Sequence, residues 1–117
     1  MKFIKLIIVM FMMLPLIGFG QTLKIGSGVQ VVHFNANWNS ANDVKWVKNL
    51  TDCKIKSCDI ATDTKAQDKW EIVVVPTIII FNDGEEVKRF QADISFAMKA
   101  TEEEVQEKID EILMEGF

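Results

Sequence analysis

The stretch Ile72-Val73-Val74-Val75-Pro76-Thr77-Ile78-Ile79-Ile80-Phe81 restricts the possible folds more than any other part of the chain. Its β-branched and aromatic side chains suit extended backbone, and a strand apolar on both sides of the pleat must be covered on both faces. That requirement points to an α/β protein with a central sheet between two layers. Pro76 has no N–H to give to a ladder, so the strand is expected to begin at Thr77, with Pro76 in a turn before it. Asn82-Asp83-Gly84-Glu85 then reads as a hairpin, and Glu86 to Phe90 as the antiparallel return strand.

The segments on either side supply the rest of the layers. Val31 to Asn35 reads as a buried strand, followed by a polar turn. From there a helix is expected from Ser40 to about Leu50, with Ser40 and Asp43 forming an S-x-x-D capping box. Cys53 to Ile60 reads as a second strand and Asp63 to Trp70 as a helix, so a parallel strand pair with a crossover is the default arrangement. Thr101 and Glu104 form another capping box, opening a last helix with Val105, Ile109 and Ile112 on one face. Leu23 to Ile25 is a candidate short extended segment. Ile94, Phe96 and Met98 alternate with Ser95 and Ala97, which suggests an extended arm on the core, with an exposed apolar edge as the alternative.

At 117 residues, with 49% hydrophobic and 26% charged content, the chain suits one small globular domain after a leader. Residues 1–20 have the grammar of a signal peptide: Lys2 and Lys5, then an apolar run from Leu6 to Phe19. As a helix that run would span about 21 Å, short of the roughly 30 Å hydrocarbon core. Cleavage after Gly20 is therefore expected, leaving residues 21–117 as an exported domain, periplasmic or secreted. The alternative is a membrane tether formed by residues 3–19. Loss of Lys2 and Lys5 changes the net charge from −4 to −6, which argues against nucleic acid and, after signal cleavage, against a membrane as partners. The acidic residues between Glu102 and Glu115 read as the solvated face of the last helix.

With its elements in this order, the chain resembles the thioredoxin family from about Val31 to Leu113. Val32-His33-Phe34-Asn35-Ala36-Asn37-Trp38 looks like the family's strand leading to its active-site tryptophan. Val75-Pro76-Thr77 looks like its cis-proline signature, and Ile78 to Gly84 like the strand and turn that follow. The resemblance implies a three-layer α/β fold with a mixed sheet of about four strands flanked by helices, the N-terminal strand and helix being trimmed. It also implies a polypeptide-binding groove at Trp38, Asn39, Ser40, Val75, Pro76, Thr77 and Ala92. The family has glycine after the return strand, whereas Gln91-Ala92-Asp93 stands here and is expected to narrow that groove.

The four residues after the family's tryptophan are Cys-x-x-Cys, and here they are Asn39-Ser40-Ala41-Asn42. Thiol-disulfide exchange needs an attacking thiolate and a resolving thiol, and a carboxamide supplies neither. Asn39 is then expected to serve as a helix cap. His33 takes the place of the family's buried acid and reads as a hydrogen-bonded core residue. A Ser40–His33 nucleophile pair lacks an orienting third group. Cys53 and Cys58 are the remaining thiols. Five residues of intact strand separate them by about 16 Å, too far for bridged Cα atoms about 4.4–6.8 Å apart, so they read as buried small hydrophobes. One histidine and no Cys-x-x-Cys leave no case for a metal, and no cofactor is expected. Asn49-Leu50-Thr51 is a formal glycosylation sequon.

The function expected from these residues is binding of polypeptide or a partner protein without thiol catalysis. Two alternatives stay open. One is a divergent oxidoreductase using Cys53 or Cys58, and the other a structural subunit with Ile94, Phe96 and Met98 as its contact edge.

Overall fold

The computed structural model describes residues 23–116, so the leader expected at residues 1–20 lies outside the described part. Four strands form one sheet: β1 (Val29–Asn35), β2 (Lys54–Asp59), β3 (Thr77–Asn82) and β4 (Glu85–Gln91). Their order is β2-β1-β3-β4. β1 runs parallel to β2, pairing His33 with Ser57 and Phe34 with Cys58. It runs antiparallel to β3, where His33 faces Ile78. β3 and β4 form the expected hairpin. Asp83 and Gly84 both take positive φ at its tip, as a tight turn that follows strand twist requires.

Alternation along β1 and β3 sends apolar side chains to both faces, so the sheet is the middle of three layers. One face carries Val29, Val31, Ile78 and Ile80 beneath Val44, Val47 and Leu50, and beneath Val105, Ile109 and Ile112 of the last helix. The other carries Val32, Phe34, Ile79 and Phe81, covered by Ile60, Ala66, Ile72 and Val75. The two α-helices among the described residues are α1 (Thr64–Lys69) and α2 (Glu102–Glu115). Asp63 caps α1 by accepting from the Ala66 N–H. Thr101 and Glu104 close both halves of the expected capping box on α2. Thr101→Ala should cost about 1 kcal/mol, the usual value of such a cap, as a shift in the urea midpoint without a change in slope.

The expected helix from Ser40 to Leu50 does not form. The chain makes two short 3-10 stretches instead, Asn37–Asn42 and Lys45–Asn49, with Asp43 and Val44 as an extended break between them. Ser40 makes no side-chain cap, and the Asp43 N–H reaches the Ser40 carbonyl. Asn side chains compete for backbone groups that a helix would use, and Asn37, Asn39, Asn42 and Asp43 crowd the first turns.

Two further expectations are corrected. Residues 23–26 form no strand, although Leu23 and Ile25 pack against the Phe34 side of the core. Residues 93–98 make a turn rather than an extended arm: Met98 packs on the core, while Ile94 is 97% exposed. Phe96 has φ of +62°, a left-handed conformation that ends any extended run. Among the described residues, no helix is long and apolar enough to cross a membrane.

Candidate functional site

At the C-terminal end of β1, three asparagines and an aspartate knit the chain together. Asn35, buried at the strand end, donates through Nδ2 to the Asn39 carbonyl at 3.1 Å and to Asp43 Oδ1. Its Oδ1 accepts from Asn39 Nδ2 at 3.0 Å. Asn39 Oδ1 in turn accepts from Asn42 Nδ2 at 2.9 Å. Asn39 Nδ2 also donates to the Phe96 carbonyl at 3.2 Å, tying this turn to residues 93–98. Asn39 is therefore not the helix cap expected of it; Ala36 precedes the 3-10 stretch, and Asn39 is buried within it. Its two-faced carboxamide is what lets one buried side chain serve three partners.

Trp38 stands outside this network, 64% exposed, with its ring edge-on to Phe96 at 5.5 Å. Ser40 is also exposed. The other expected groove residues sit deeper. The Val75–Pro76 bond is cis, and Val75, Pro76 and Thr77 are buried. Thr77 Oγ1 donates to the Val74 carbonyl at 2.6 Å. The Ala92 N–H donates to the Pro76 carbonyl at 3.0 Å, which fastens this expected groove residue onto the proline turn. Among the described residues, the Val75 main chain has no hydrogen-bond partner.

The two sulfurs lie on or beside β2, away from the asparagine turn in sequence, and both are free thiols. Cys53 is half-buried and Cys58 buried. Burial raises both above the ordinary thiol range; Asp52 adds to the effect at Cys53. Cys58 is pushed up to about 11 by burial and by the Asp63 and Asp59 carboxylates. Only the thiolate attacks, so iodoacetamide should label Cys58 in the folded chain on the order of a hundredfold more slowly than in urea. Native-state labelling at the unfolded rate would contradict that placement.

His33 is buried under the break between the two 3-10 stretches, and its Nε2 accepts from the Val44 N–H at 3.3 Å. Ser40 and His33 line a shallow pocket of about 360 Å³ with Asn35, Asp43, Cys58 and Asp59, and no hydrogen bond joins the serine to the histidine. Among the described residues, no group of three or more His, Cys, Asp or Glu could hold a metal ion.

Sequence reasoning missed Asn35 and Phe96. Asn35 was open to detection, since a buried strand cannot end on a carboxamide without a local partner, and Asn39 lies four residues on. Phe96 enters through its carbonyl, which no residue-type signal marks.

Solved structures share this architecture. A mutant thioredoxin from Halobacterium salinarum NRC-1 superposes with a TM-score of 0.59 at 20% identity, over 73% of this chain and 74% of its own. The reduced thioredoxin pre-protein of Schistosoma mansoni gives 0.59 at 22%, over 73% and 79%. Fasciola hepatica thioredoxin gives 0.54 at 23%, over 74% and 82%. No family model matches the chain, and no curated protein matches its sequence. The chain has a thioredoxin-family α/β fold, with a mixed four-stranded sheet flanked by helices.

Proposed function

We propose that this thioredoxin-like domain is exported and binds polypeptide or a partner protein at the rim around Trp38, without thiol-disulfide exchange. The observation that carries the reading is the asparagine network itself. Where the resemblance to thioredoxins sets a dithiol, Asn39 and Asn42 are hydrogen-bonded to each other, and Asn39 also to Asn35. Those groups hold a turn in place but cannot take up or release electrons. The thiols that remain are raised in pKa and lack a resolving partner.

Binding survives the loss of sulfur because its elements are different ones. An exposed tryptophan beside a half-exposed phenylalanine offers a rigid aromatic anchor of the kind that dominates interface energetics. An unpaired main chain at Val75 would suit strand-like pairing with an extended segment. Because Val75 and Pro76 are buried, Trp38 makes the first contact in this reading.

The test is capture from the exported fraction by the immobilised full chain, comparing wild type with Trp38→Ala and Pro76→Ala. A polypeptide retained by wild type and lost from Trp38→Ala supports the rim as the binding surface. Equal capture by all three proteins places binding elsewhere. Ile94 favours the second reading, a structural subunit, because an isoleucine so exposed is a natural contact residue. Under that reading, Ile94→Asp turns an oligomer seen by sedimentation into a monomer.

A further inference from the structure

The contact between His33 and Val44 depends on a proton. Because Nε2 accepts from the Val44 N–H, that nitrogen is unprotonated and the ring's single proton is on Nδ1. A second proton would turn Nε2 from acceptor to donor and set two N–H groups against each other. Asp43, whose charge acts on the ring, is at present engaged by Asn35 Nδ2. An imidazolium beside it would compete for that carboxylate.

We propose that His33 is an acid-operated latch on the Asn37–Asn49 segment. Neutral, it holds the Val44 amide; protonated, it releases that amide and draws Asp43 away from Asn35, loosening the turn that carries Trp38 and Asn39. The two-state element is the Asp43 side chain, held by Asn35 in the closed form and drawn to the ring in the open one. That the loosened turn would bind polypeptide less well rests on the reading of the Trp38 rim given above, but the latch itself does not.

The surroundings set the direction of the switch. From the 3-10 side, Asp43, Lys45 and Lys48 face the pockets that His33 lines; from β2 come Cys58 and Asp59, and the β3 neighbour is the apolar Ile78. Burial lowers His33 from its ordinary 6.5, with the Asp43 charge opposing that shift. The closed form therefore binds fewer protons than the open one. Acidification below the ordinary histidine range drives the latch open, and neutral pH keeps it closed.

Nuclear magnetic resonance of the full chain tests this by following the His33 ring shifts and the exchange protection of the Val44 amide from pH 8 to pH 4. Protection, corrected for the intrinsic exchange rate, should fall about tenfold or more on the same midpoint as the ring titration. His33→Gln keeps a side-chain acceptor without a titrating ring, and should hold the Val44 protection flat over that range. Asp43→Asn removes the attracting charge and should move the midpoint to lower pH. Unchanged Val44 protection while the ring titrates would overturn the latch. So would loss of protection in His33→Gln on the wild-type curve, or unfolding of the chain before the ring titrates. Should His33→Gln fail to fold, an unmoved midpoint in Asp43→Asn overturns it equally.

Discussion

Phe34→Ala is expected to remove about 3–5 kcal/mol of stability, the range for deleting a fully buried aromatic side chain from a packed core. Phe34 is fully buried one residue before the C-terminal end of β1. Its ring lies 6.0 Å from Trp70, and Trp70 lies 6.1 Å from Phe81 on β3. Truncation would leave a cavity under a ring that joins two strands, and neither strand can move inward without breaking its ladder. A small domain has about 5–15 kcal/mol in all, so the variant should sit close to its unfolding midpoint at 37 °C. Urea unfolding measures the loss directly, and a cost below about 1 kcal/mol would mean that the site collapses far more easily than such packing allows.

Asn35→Asp should be comparably damaging, by roughly 3–5 kcal/mol, for an electrostatic reason. The substitution is nearly isosteric, but it replaces the Nδ2 donor with a carboxylate oxygen facing the Asp43 carboxylate and the Asn39 carbonyl. Two carboxylates at hydrogen-bond distance cannot both ionise cheaply, so the introduced group's folded pKa is raised. Its unfolded value is about 3.9, and a raised folded value means that the penalty grows as pH rises above that point and shrinks on acidification. The difference in unfolding free energy between wild type and variant should therefore narrow steadily from pH 7 to pH 4. A penalty independent of pH would show that the network is not the cause. Asn35→Ala would separate the lost hydrogen bonds from the added charge, and should cost less.

Much of the fold was legible because its strongest signals are short-range. The apolar run after Pro76, the Asp83-Gly84 turn and the Thr101–Glu104 box each fix a local geometry that no tertiary contact overrides. The two 3-10 stretches were not legible, for the opposite reason. Val44, Val47 and Leu50 recur at a spacing that suits a helix face, and they do face the core together. That periodicity reports burial, whereas the backbone conformation is decided by the asparagine side chains, whose partners include Phe96, distant in sequence. The same holds for residues 93–98, where alternation suggested extended backbone but a left-handed Phe96 turns the chain back over Trp38.

The candidate site divides along similar lines. That asparagines rather than cysteines stand at positions 39 and 42 is written in the residues that follow Trp38, and the exposure of Trp38 follows from a polar turn at a strand end. The depth of Val75, Pro76, Thr77 and Ala92 is not, because it depends on how the return strand closes against the proline turn through the Ala92–Pro76 hydrogen bond. A pattern of residue types names these residues without giving how deeply they sit.

Reduction of insulin by dithiothreitol in the presence of the full chain bears most directly on the proposal of a thioredoxin-like fold without electron transfer. Precipitation of the insulin B chain should proceed at the rate of dithiothreitol alone, for wild type, Cys53→Ser and Cys58→Ser alike. Multiple turnovers above that rate, abolished by either serine substitution, would contradict the account.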